Sequence, residues 1–160
     1  MNSIVNLRPI RQDDEPFLFK LYASTREEEL KLVPWNEQQK VAFLQMQFAA
    51  QHNYYQEQFS DANFSIIEQK NKPIGRLYLD YRSKEVRIID ITILSEYRNQ
   101  GIGSQLLQDI LISATERDLP VRISVEQNNP ALNLYNRLGF KKMGDTGIYF
   151  LMEWRHISQQ

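Results

Sequence analysis

The stretch EYRNQGIGSQLL, residues 96–107, sets two glycines one residue apart directly before an apolar helical pattern. Gly101 and Gly103 are two of the six glycines in the chain. The β-branched run VRIIDITIL, residues 86–94, precedes them and predicts a strand. The order strand, glycine turn, helix leaves backbone amides without partners where the helix begins. Such a helix start suits an anion, and a pyrophosphate is the natural guest.

Two nucleotide-binding motifs are excluded at this turn. The dinucleotide fingerprint needs a third glycine where the chain has Leu106, and a convincing acidic residue about 20 positions further on is missing. A phosphate-binding loop would end in Gly-Lys-Ser/Thr, which this stretch lacks. A plain strand-to-helix turn that needs glycine flexibility is the structural alternative, and the stretch alone leaves it open.

The rest of the chain predicts a mixed α/β fold in the order β, α, α, three strands, then α, β, α, β, β. The first strand is IVNLRPI, residues 4–10. The polar segment STREEELKLVPW, residues 24–35, predicts the loop or short turn between the first two helices. Asn36 and Gln39 have the spacing of a capping box, which predicts the start of the second helix.

Length and composition narrow the function further. A chain of 160 residues predicts one domain, residues 1–160, and a net charge of -1 without a cationic cluster argues against nucleic-acid binding. Without cysteine and with two distant histidines, we expect neither a disulfide nor a metal site. Residues 1–15 carry charges where a signal peptide is apolar, and no apolar run approaches the roughly 18 residues of a membrane span. We therefore expect a cytoplasmic protein that does not bind membranes.

A second motif follows the glycine turn after one helix and one strand. Residues 128–140 read N-x-x-A-x-x-x-Y-x-x-x-G-F. Together with LSEYRNQGIG, residues 94–103, this motif resembles the GNAT superfamily of N-acetyltransferases. The resemblance implies a mixed, largely antiparallel sheet with a splayed central pair of parallel strands and helices on both faces. The parting strands would be IIDITIL, residues 88–94, and VRISV, residues 121–125.

The same resemblance implies that acetyl-coenzyme A binds in the cleft between the parting strands. Backbone groups of Ile91 and Ile93 would pair with the pantetheine amides as a missing strand would. The glycine turn would hold the pyrophosphate, and Asn128 would bond near the pantetheine arm. The implied cofactor-binding residues are Ile91, Ile93, Arg98, Asn99, Gln100, Gly101, Ile102, Gly103, Ser104 and Asn128.

The implied reaction is direct transfer of the acetyl group to a primary amine of a small molecule or peptide. Such a transfer needs a free lone pair on the amine nitrogen, a hydrogen-bond donor that stabilises the developing oxyanion, and a proton for the leaving sulfur. The absence of cysteine fits transfer without a covalent intermediate. By the resemblance, Tyr135 is the acid that faces the departing thiolate. The structural alternative for Tyr135 is an aromatic ring that packs beneath the sheet.

One candidate for the general base lies on the strand before the glycine turn. Strand alternation predicts that Ile89, Ile91 and Ile93 share one face, with Asp90 and Thr92 on the other. A carboxylate in an otherwise apolar strand can have its pKa raised by desolvation into a useful range.

The identity of the base stays open between three candidates. For Asp90 the competing interpretation is an ion pair with Arg76 or Arg87. Glu126, at the end of the next strand, is the second candidate. The third is a chain of water molecules with no dedicated base, since members of the family vary in this respect.

The acceptor is expected to lie near the junction of the first two helices. There Glu29 could bind the amine and Arg26 an acid group of the acceptor, with Trp35 close behind. The alternative is that these charged residues belong to a solvated helix end and bind no acceptor. A rival function is a non-catalytic module that senses acyl-coenzyme A, although the intact Tyr135 favours an enzyme. A homodimer is compatible with the sequence.

Overall fold

The computed structural model describes residues 5–157, so the ends of the predicted domain, residues 1–4 and 158–160, lie outside the described residues. The strands are β1 (Val5–Pro9), β2 (Asn63–Gln69), β3 (Lys72–Tyr81), β4 (Val86–Ile93), β5 (Val121–Glu126), β6 (Lys141–Asp145) and β7 (Tyr149–Trp154). The helices are α1 (Glu15–Lys31), α2 (Glu37–Gln58), α3 (Ile102–Glu116) and α4 (Leu132–Arg137). Within the described residues, no helix is both long enough and apolar enough to span a bilayer.

The seven strands form one sheet in the order β1-β2-β3-β4-β5-β7-β6. Neighbouring strands are antiparallel except for β4 and β5, which run parallel at the centre. Helices α3 and α4 pack on one face, and α1 and α2 pack on the other. The predicted fold class is therefore confirmed, including the helices on both faces.

The parallel pair β4 and β5 separates after three residues. Val86, Arg87 and Ile88 pair with the β5 residues Val121, Arg122 and Ile123, and no further pair follows. Strand β4 nevertheless continues to Ile93 along β3, and β5 continues to Glu126 along β7. A cleft therefore opens between the carboxyl halves of the two central strands, as the resemblance implies.

A β-bulge lies where the strands begin to part. Tyr78 pairs with Asp90 and Leu79 pairs with Ile88, so Ile89 has no partner on β3. Because a bulge adds one residue, the alternation of side chains shifts by one position. Ile88 therefore shares the α3 face with Ile91 and Ile93, and the prediction that Ile89 lies on that face is wrong. The bulge depends on pairing with β3, which the alternation within β4 does not reveal.

Helix α1 is longer than predicted, because most of the segment predicted as a loop is helical. It continues to Lys31, where Leu30 is buried against the other residues of the α1–α2 core. Ion pairs three residues apart, including Lys31 with Glu28 at 2.9 Å, support this last part of the helix. The connection to α2 is only residues 32–36. The predicted capping box at Asn36 and Gln39 is confirmed by its two reciprocal hydrogen bonds of 3.0 and 2.8 Å.

Helix α3 supplies the largest share of apolar helix surface to the core. Its buried residues recur at helical spacing and contact the inner sides of β3, β4, β5 and β7. These residues are Ile102, Leu106, Leu107, Ile110, Leu111 and Ala114. Burial of each large aliphatic side chain contributes roughly 1.5–3 kcal/mol, so the glycine turn is attached to a rigid element.

Candidate active site where β4 and β5 part

The glycine turn joins β4 to α3 beside the cleft. Asn99 and Gly101 both have left-handed backbone conformations, with φ of 62° and 80°. Gly101 is the residue before the first turn of α3, and no atom lies within 4 Å of where its Cβ would stand. This open, left-handed position favours glycine because other side chains are strained there. The turn therefore keeps its backbone accessible.

Six consecutive amides of this turn face no acceptor from the rest of the described chain. Asn99, Gln100 and Gly101 donate no backbone hydrogen bond there. The next three amides, those of residues 102–104, form the first turn of α3, where a helix has no internal acceptors. These amides and the helix dipole together form an environment for an anion.

The backbone amide of Arg98 is not part of this run of unpartnered amides. Its backbone amide donates to the Ser95 carbonyl at 3.2 Å and is not available to a ligand. Its side chain turns back, and Nε donates to the Ile93 carbonyl at 2.8 Å. The guanidinium thus lies at the junction of β4 and the glycine turn. The unpartnered amides begin at Asn99.

The free edge of β4 presents backbone groups to the cleft. The Leu94 amide donates to the Ile74 carbonyl, so in an antiparallel pair Thr92 and Asp90 also bond toward β3. By the same alternation, the backbone N–H and C=O groups of Ile91 and Ile93 point away from β3. They therefore lie along the edge that β5 leaves unpaired.

Tyr135 lies on α4, within the core beneath the sheet. It is 3% exposed, and its ring packs edge-on against Phe140 with centroids 5.4 Å apart. Its hydroxyl makes no hydrogen bond within residues 5–157, yet it is not among the fully enclosed unpartnered atoms. Burial raises the pKa of Tyr135, and the charge of Asp90 raises it further. The hydroxyl is thus a protonated group that keeps some access to open space.

Asp90 is held by three donors on the α1–α2 face of the sheet. Oδ2 accepts from Arg76 Nη2 at 2.7 Å and from the Tyr55 hydroxyl at 3.4 Å, while Oδ1 accepts from Thr92 Oγ1 at 2.6 Å. Arg76 is 3% exposed and also donates to Gln51 on α2 at 2.9 Å. The ion pair that competed with a catalytic role for Asp90 is therefore present, with Arg76 as the partner.

Glu126 lies at the end of β5 and is bound less tightly. Its Oε1 is 3.3 Å from Arg26 Nη2, and its side chain is 31% exposed. Its other carboxylate oxygen has no partner among the described residues. Arg26 also pairs with Glu29 at 3.2 Å. The structure thus brings Arg26 and Glu29 to the same end of the cleft as Glu126.

Two predicted site residues lie apart from this cluster. Trp35 is exposed and packs edge-on against Phe43 of α2, with centroids 5.3 Å apart. Asn128 is exposed in the turn after β5, and its side chain makes no hydrogen bond to the described chain. Asn129, the next residue, instead accepts from the Ala131 amide at 2.9 Å and shapes the start of α4.

Tyr55 also lies at the site, although the sequence places it only on a helix that could wall the cleft and favours a packing role. It lies one turn after Gln51 on α2, and both side chains reach the Arg76–Asp90 pair. Burial raises the pKa of Tyr55, and Tyr149 of β7 is close enough to contribute. The i, i+4 spacing of two polar residues on a half-buried helix was the available signal.

Comparison with known proteins agrees with this architecture. A sequence model of the acetyltransferase (GNAT) family matches residues 12–140. An N-alpha-acetyltransferase of Sulfurisphaera tokodaii is 41% identical over 66 residues, which are 38% of this chain and 38% of that protein. The match thus spans little more than a third of that relative's length.

Two solved structures resemble the whole chain. One is the PaiA N-acetyltransferase of Thermoplasma acidophilum in complex with coenzyme A, with TM-score 0.71, 17% identity, and coverage of 95% of this chain and 99% of that one. The other is Arabidopsis thaliana Naa50 in complex with the bisubstrate analogue CoA-Ac-MVNAL, with TM-score 0.65, 18% identity, and coverage of 96% and 100%. At these identities the likeness concerns the fold.

Proposed function

The chain belongs to the acetyltransferase (GNAT) family, and from that membership we propose that it transfers an acetyl group from acetyl-coenzyme A to a primary amine of a small molecule or peptide. Residues 1–160 would act as one catalytic domain. The observation that carries the proposal is the run of unpartnered amides from Asn99 to Ser104, at the mouth of the cleft between β4 and β5.

The residues of the cleft fit coenzyme A. The diphosphate would be held by the amides of residues 99–104 and by the guanidinium of Arg98, since amides at a helix start and a cation both favour phosphate oxygens. The backbone N–H and C=O groups of Ile91 and the N–H of Ile93 point away from β3 and can pair with the amides of the pantetheine arm, whereas the Ile93 carbonyl already accepts from Arg98 Nε. Asn128 follows β5, and its side-chain amide, which makes no hydrogen bond to the described chain, would be available to bond near the pantetheine arm.

When bound, acetyl-coenzyme A supplies a thioester whose acyl carbon an amine can attack. Tyr135 would donate the proton that the sulfur needs, because its raised pKa keeps the hydroxyl protonated at neutral pH. Burial around the cleft would exclude water and hold the reactants close together. The chain itself forms no covalent intermediate in this scheme.

Glu126 is the better candidate for the general base. The Asp90 carboxylate already accepts from Arg76, Thr92 and Tyr55, so little of its hydrogen-bonding capacity remains for an amine. Glu126 has one long contact of 3.3 Å and one free oxygen at the acceptor end of the cleft. Asp90 would then orient neighbouring groups.

Among primary amines, the amino terminus of a peptide is favoured by the similarity to the N-alpha-acetyltransferase of Sulfurisphaera tokodaii. Arg26 and Glu29 lie beside Glu126 and would contact the first residues of such an acceptor. Their mutual ion pair must loosen for either side chain to bind a ligand. A small amine would fill the same space without needing this change.

The proposal is tested by thiol release from acetyl-coenzyme A in the presence of the pentapeptide Met-Val-Asn-Ala-Leu, benzylamine and other primary amines. We expect release that depends on the amine, together with an acetylated product identified by mass spectrometry. Binding of coenzyme A by calorimetry without turnover across the panel would instead indicate the acyl-coenzyme A sensor. Absence of binding would refute both functions.

A further inference from the structure

Tyr55 lies beside the cleft, on the α1–α2 face of the sheet. On one side its hydroxyl lies 3.4 Å from Asp90 Oδ2, beyond the point where β4 leaves β5. On the other side it is within electrostatic reach of Tyr149. Tyr149 pairs with Glu126 in the sheet, on the far border of the cleft. Tyr55 therefore lies next to the stretch of β4 that has left β5, on the face of the sheet from which Glu126 reaches Arg26.

The direction of the Tyr55 hydrogen bond determines what its oxygen can offer. Asp90 is a carboxylate and can only accept, so the Tyr55 hydroxyl donates its proton toward Oδ2. The lone pairs of the phenolic oxygen then remain available as acceptors. Tyr55 consequently presents a neutral hydrogen-bond acceptor to the cleft.

The neighbours of Tyr55 hold this arrangement in place. Arg76 donates to both Asp90 and Gln51 and is almost fully buried, so the carboxylate has little freedom to turn. The Tyr55 ring packs edge-on against Tyr78 and Phe59, at centroid distances of 5.9 and 6.3 Å. Burial raises the pKa of Tyr55, so its hydroxyl stays protonated at neutral pH.

We propose that Tyr55 Oη accepts the N–H of the acceptor amine that remains in the amide product, and so orients the nitrogen for attack. This inference rests on the proposed acetyl transfer. A primary amine has two N–H bonds and one lone pair. If Glu126 receives one proton and Tyr55 accepts a hydrogen bond from the other N–H, the lone pair is directed toward the thioester.

The protons balance in this scheme. The amine nitrogen forms a bond to the acyl carbon while the carbon–sulfur bond breaks. One nitrogen proton passes to Glu126, one stays on the amide nitrogen beside Tyr55, and the sulfur takes a proton from Tyr135. Tyr55 itself keeps its proton throughout. A secondary amine has no N–H left after the transfer, so it cannot make the Tyr55 contact in the product-like transition state.

The test compares primary and secondary amines in Tyr55→Phe. We would measure kcat/KM for Met-Val-Asn-Ala-Leu and its N-methyl derivative, and for benzylamine and N-methylbenzylamine. The parent protein should prefer each primary amine, and Tyr55→Phe should reduce that preference roughly three- to tenfold, as expected for one hydrogen bond. Phenylalanine retains the ring that packs on Tyr78 and Phe59, and the melting temperature checks that the variant is folded.

The matched control is Tyr54→Phe. Tyr54 precedes Tyr55 on α2, is 56% exposed and makes no hydrogen bond to Asp90. It should keep the preference of the parent protein. An unchanged preference in folded Tyr55→Phe, or an equal loss in both variants, would overturn the role of Tyr55. If the parent protein acetylates no amine at all, the proposed function itself fails, and the two failures are therefore distinguishable.

Discussion

Asp90 and Tyr135 approach the cleft from opposite faces of the sheet. Burial is the main cause of the raised pKa of Tyr135, and the carboxylate of Asp90 adds to it. Asp90 lies on the α1–α2 face, whereas Tyr135 belongs to the core on the α3 face. Asp90 lies on the part of β4 that has already left β5, so the gap between the two strands is beside it. In the proposed reaction, groups from both faces of the sheet would meet at this gap.

Tyr135→Phe tests the acid. Without the hydroxyl, the leaving thiolate must take its proton from water, so we expect kcat to fall about 10²–10⁴-fold. The affinity for coenzyme A should remain nearly unchanged, since the ring and its contact with Phe140 persist. Steady-state kinetics and calorimetry measure the two quantities. The control is Tyr81→Phe, which should retain activity. Tyr81 is half-buried, and its ring lies beneath the guanidinium of Arg117. Full activity in Tyr135→Phe would remove Tyr135 from this role.

The pH dependence of kcat follows from the same residue. A group with a raised pKa stays protonated at every pH below its ordinary value, which for tyrosine is about 10. We therefore expect no alkaline loss of kcat from the acid below about pH 10. A pH profile of the parent protein and of Tyr135→Phe measures this. An alkaline limb at lower pH that disappears in the variant would contradict the raised pKa.

Replacement of the two carboxylates separates their roles. Glu126→Gln removes the proposed base, so kcat should fall by about 10²-fold or more. Asp90→Asn leaves the buried Arg76 guanidinium without its charged partner and should lower stability by about 3 kcal/mol or more. Kinetics and urea unfolding measure the two effects. A folded Glu126→Gln variant that keeps the kcat of the parent protein would count against Glu126 as the base.

Gly103→Ala tests the glycine turn. A Cβ there would lie 3.7 Å from Ile93 Cδ1, an ordinary contact, so the fold should accept it. Alanine also favours a helix by up to about 1 kcal/mol. The added methyl group would crowd the amides of the first helical turn, and coenzyme A should bind about tenfold more weakly, or by about 1.4 kcal/mol.

Gly144→Ala is the control for this effect, since a Cβ there would also lie 3.7 Å from its nearest neighbour, Leu151 Cβ, on a different strand. It should leave the dissociation constant unaltered. Calorimetry with both folded variants gives the comparison. Equal affinity in Gly103→Ala and the parent protein would refute the diphosphate assignment.

Asp14→Asn tests an ion pair far from the cleft. The carboxylate of Asp14 receives two bonds of 2.8 Å from Arg8 and one of 2.7 Å from the Arg11 amide. These donors, Arg8 foremost, lower the pKa of Asp14. Because Arg8 keeps Glu68 as a partner at 2.7 Å, we expect a loss of about 2–3 kcal/mol at neutral pH.

The pH dependence of this loss has a definite sign. A lowered pKa in the folded state stabilises the protein above the ordinary value of about 3.9, and the benefit disappears as pH falls through the lowered value. Urea unfolding of the parent protein and the variant should therefore converge below about pH 3.9. A difference that stays constant from pH 7 to pH 3 would contradict the contribution of Asp14.

Features that depend on neighbouring residues in the sequence could be predicted. The glycine turn, the capping box of α2 and the order of strands and helices all follow from local patterns of residue type. The alternation that set Asp90 and Thr92 apart from Ile91 and Ile93 also holds beyond the bulge. The sequence also predicts Arg76 as one of two possible ion-pair partners of Asp90, and the structure contains this pair.

Features that depend on residues distant in the sequence could not be predicted. The bulge at Ile89 results from its register with Tyr78 and Leu79 on another strand. Helix α1 extends through a charged segment because Leu30 finds an apolar site on the α1–α2 core, which local polarity conceals. The i, i+4 spacing puts Gln51 and Tyr55 on one side of α2, but the distance between α2 and β4 decides that this side meets Asp90.

The separation of β4 from β5 also affects how the protein behaves when coenzyme A is not bound. The backbone groups of Ile91 and the N–H of Ile93 form a strand edge in the middle of a sheet, where a neighbouring strand normally supplies hydrogen-bond partners. Extended peptides can add to an edge of this kind, so we expect the protein to self-associate more readily when no ligand covers it. Purification and storage with coenzyme A should accordingly yield more homogeneous material than preparation without it.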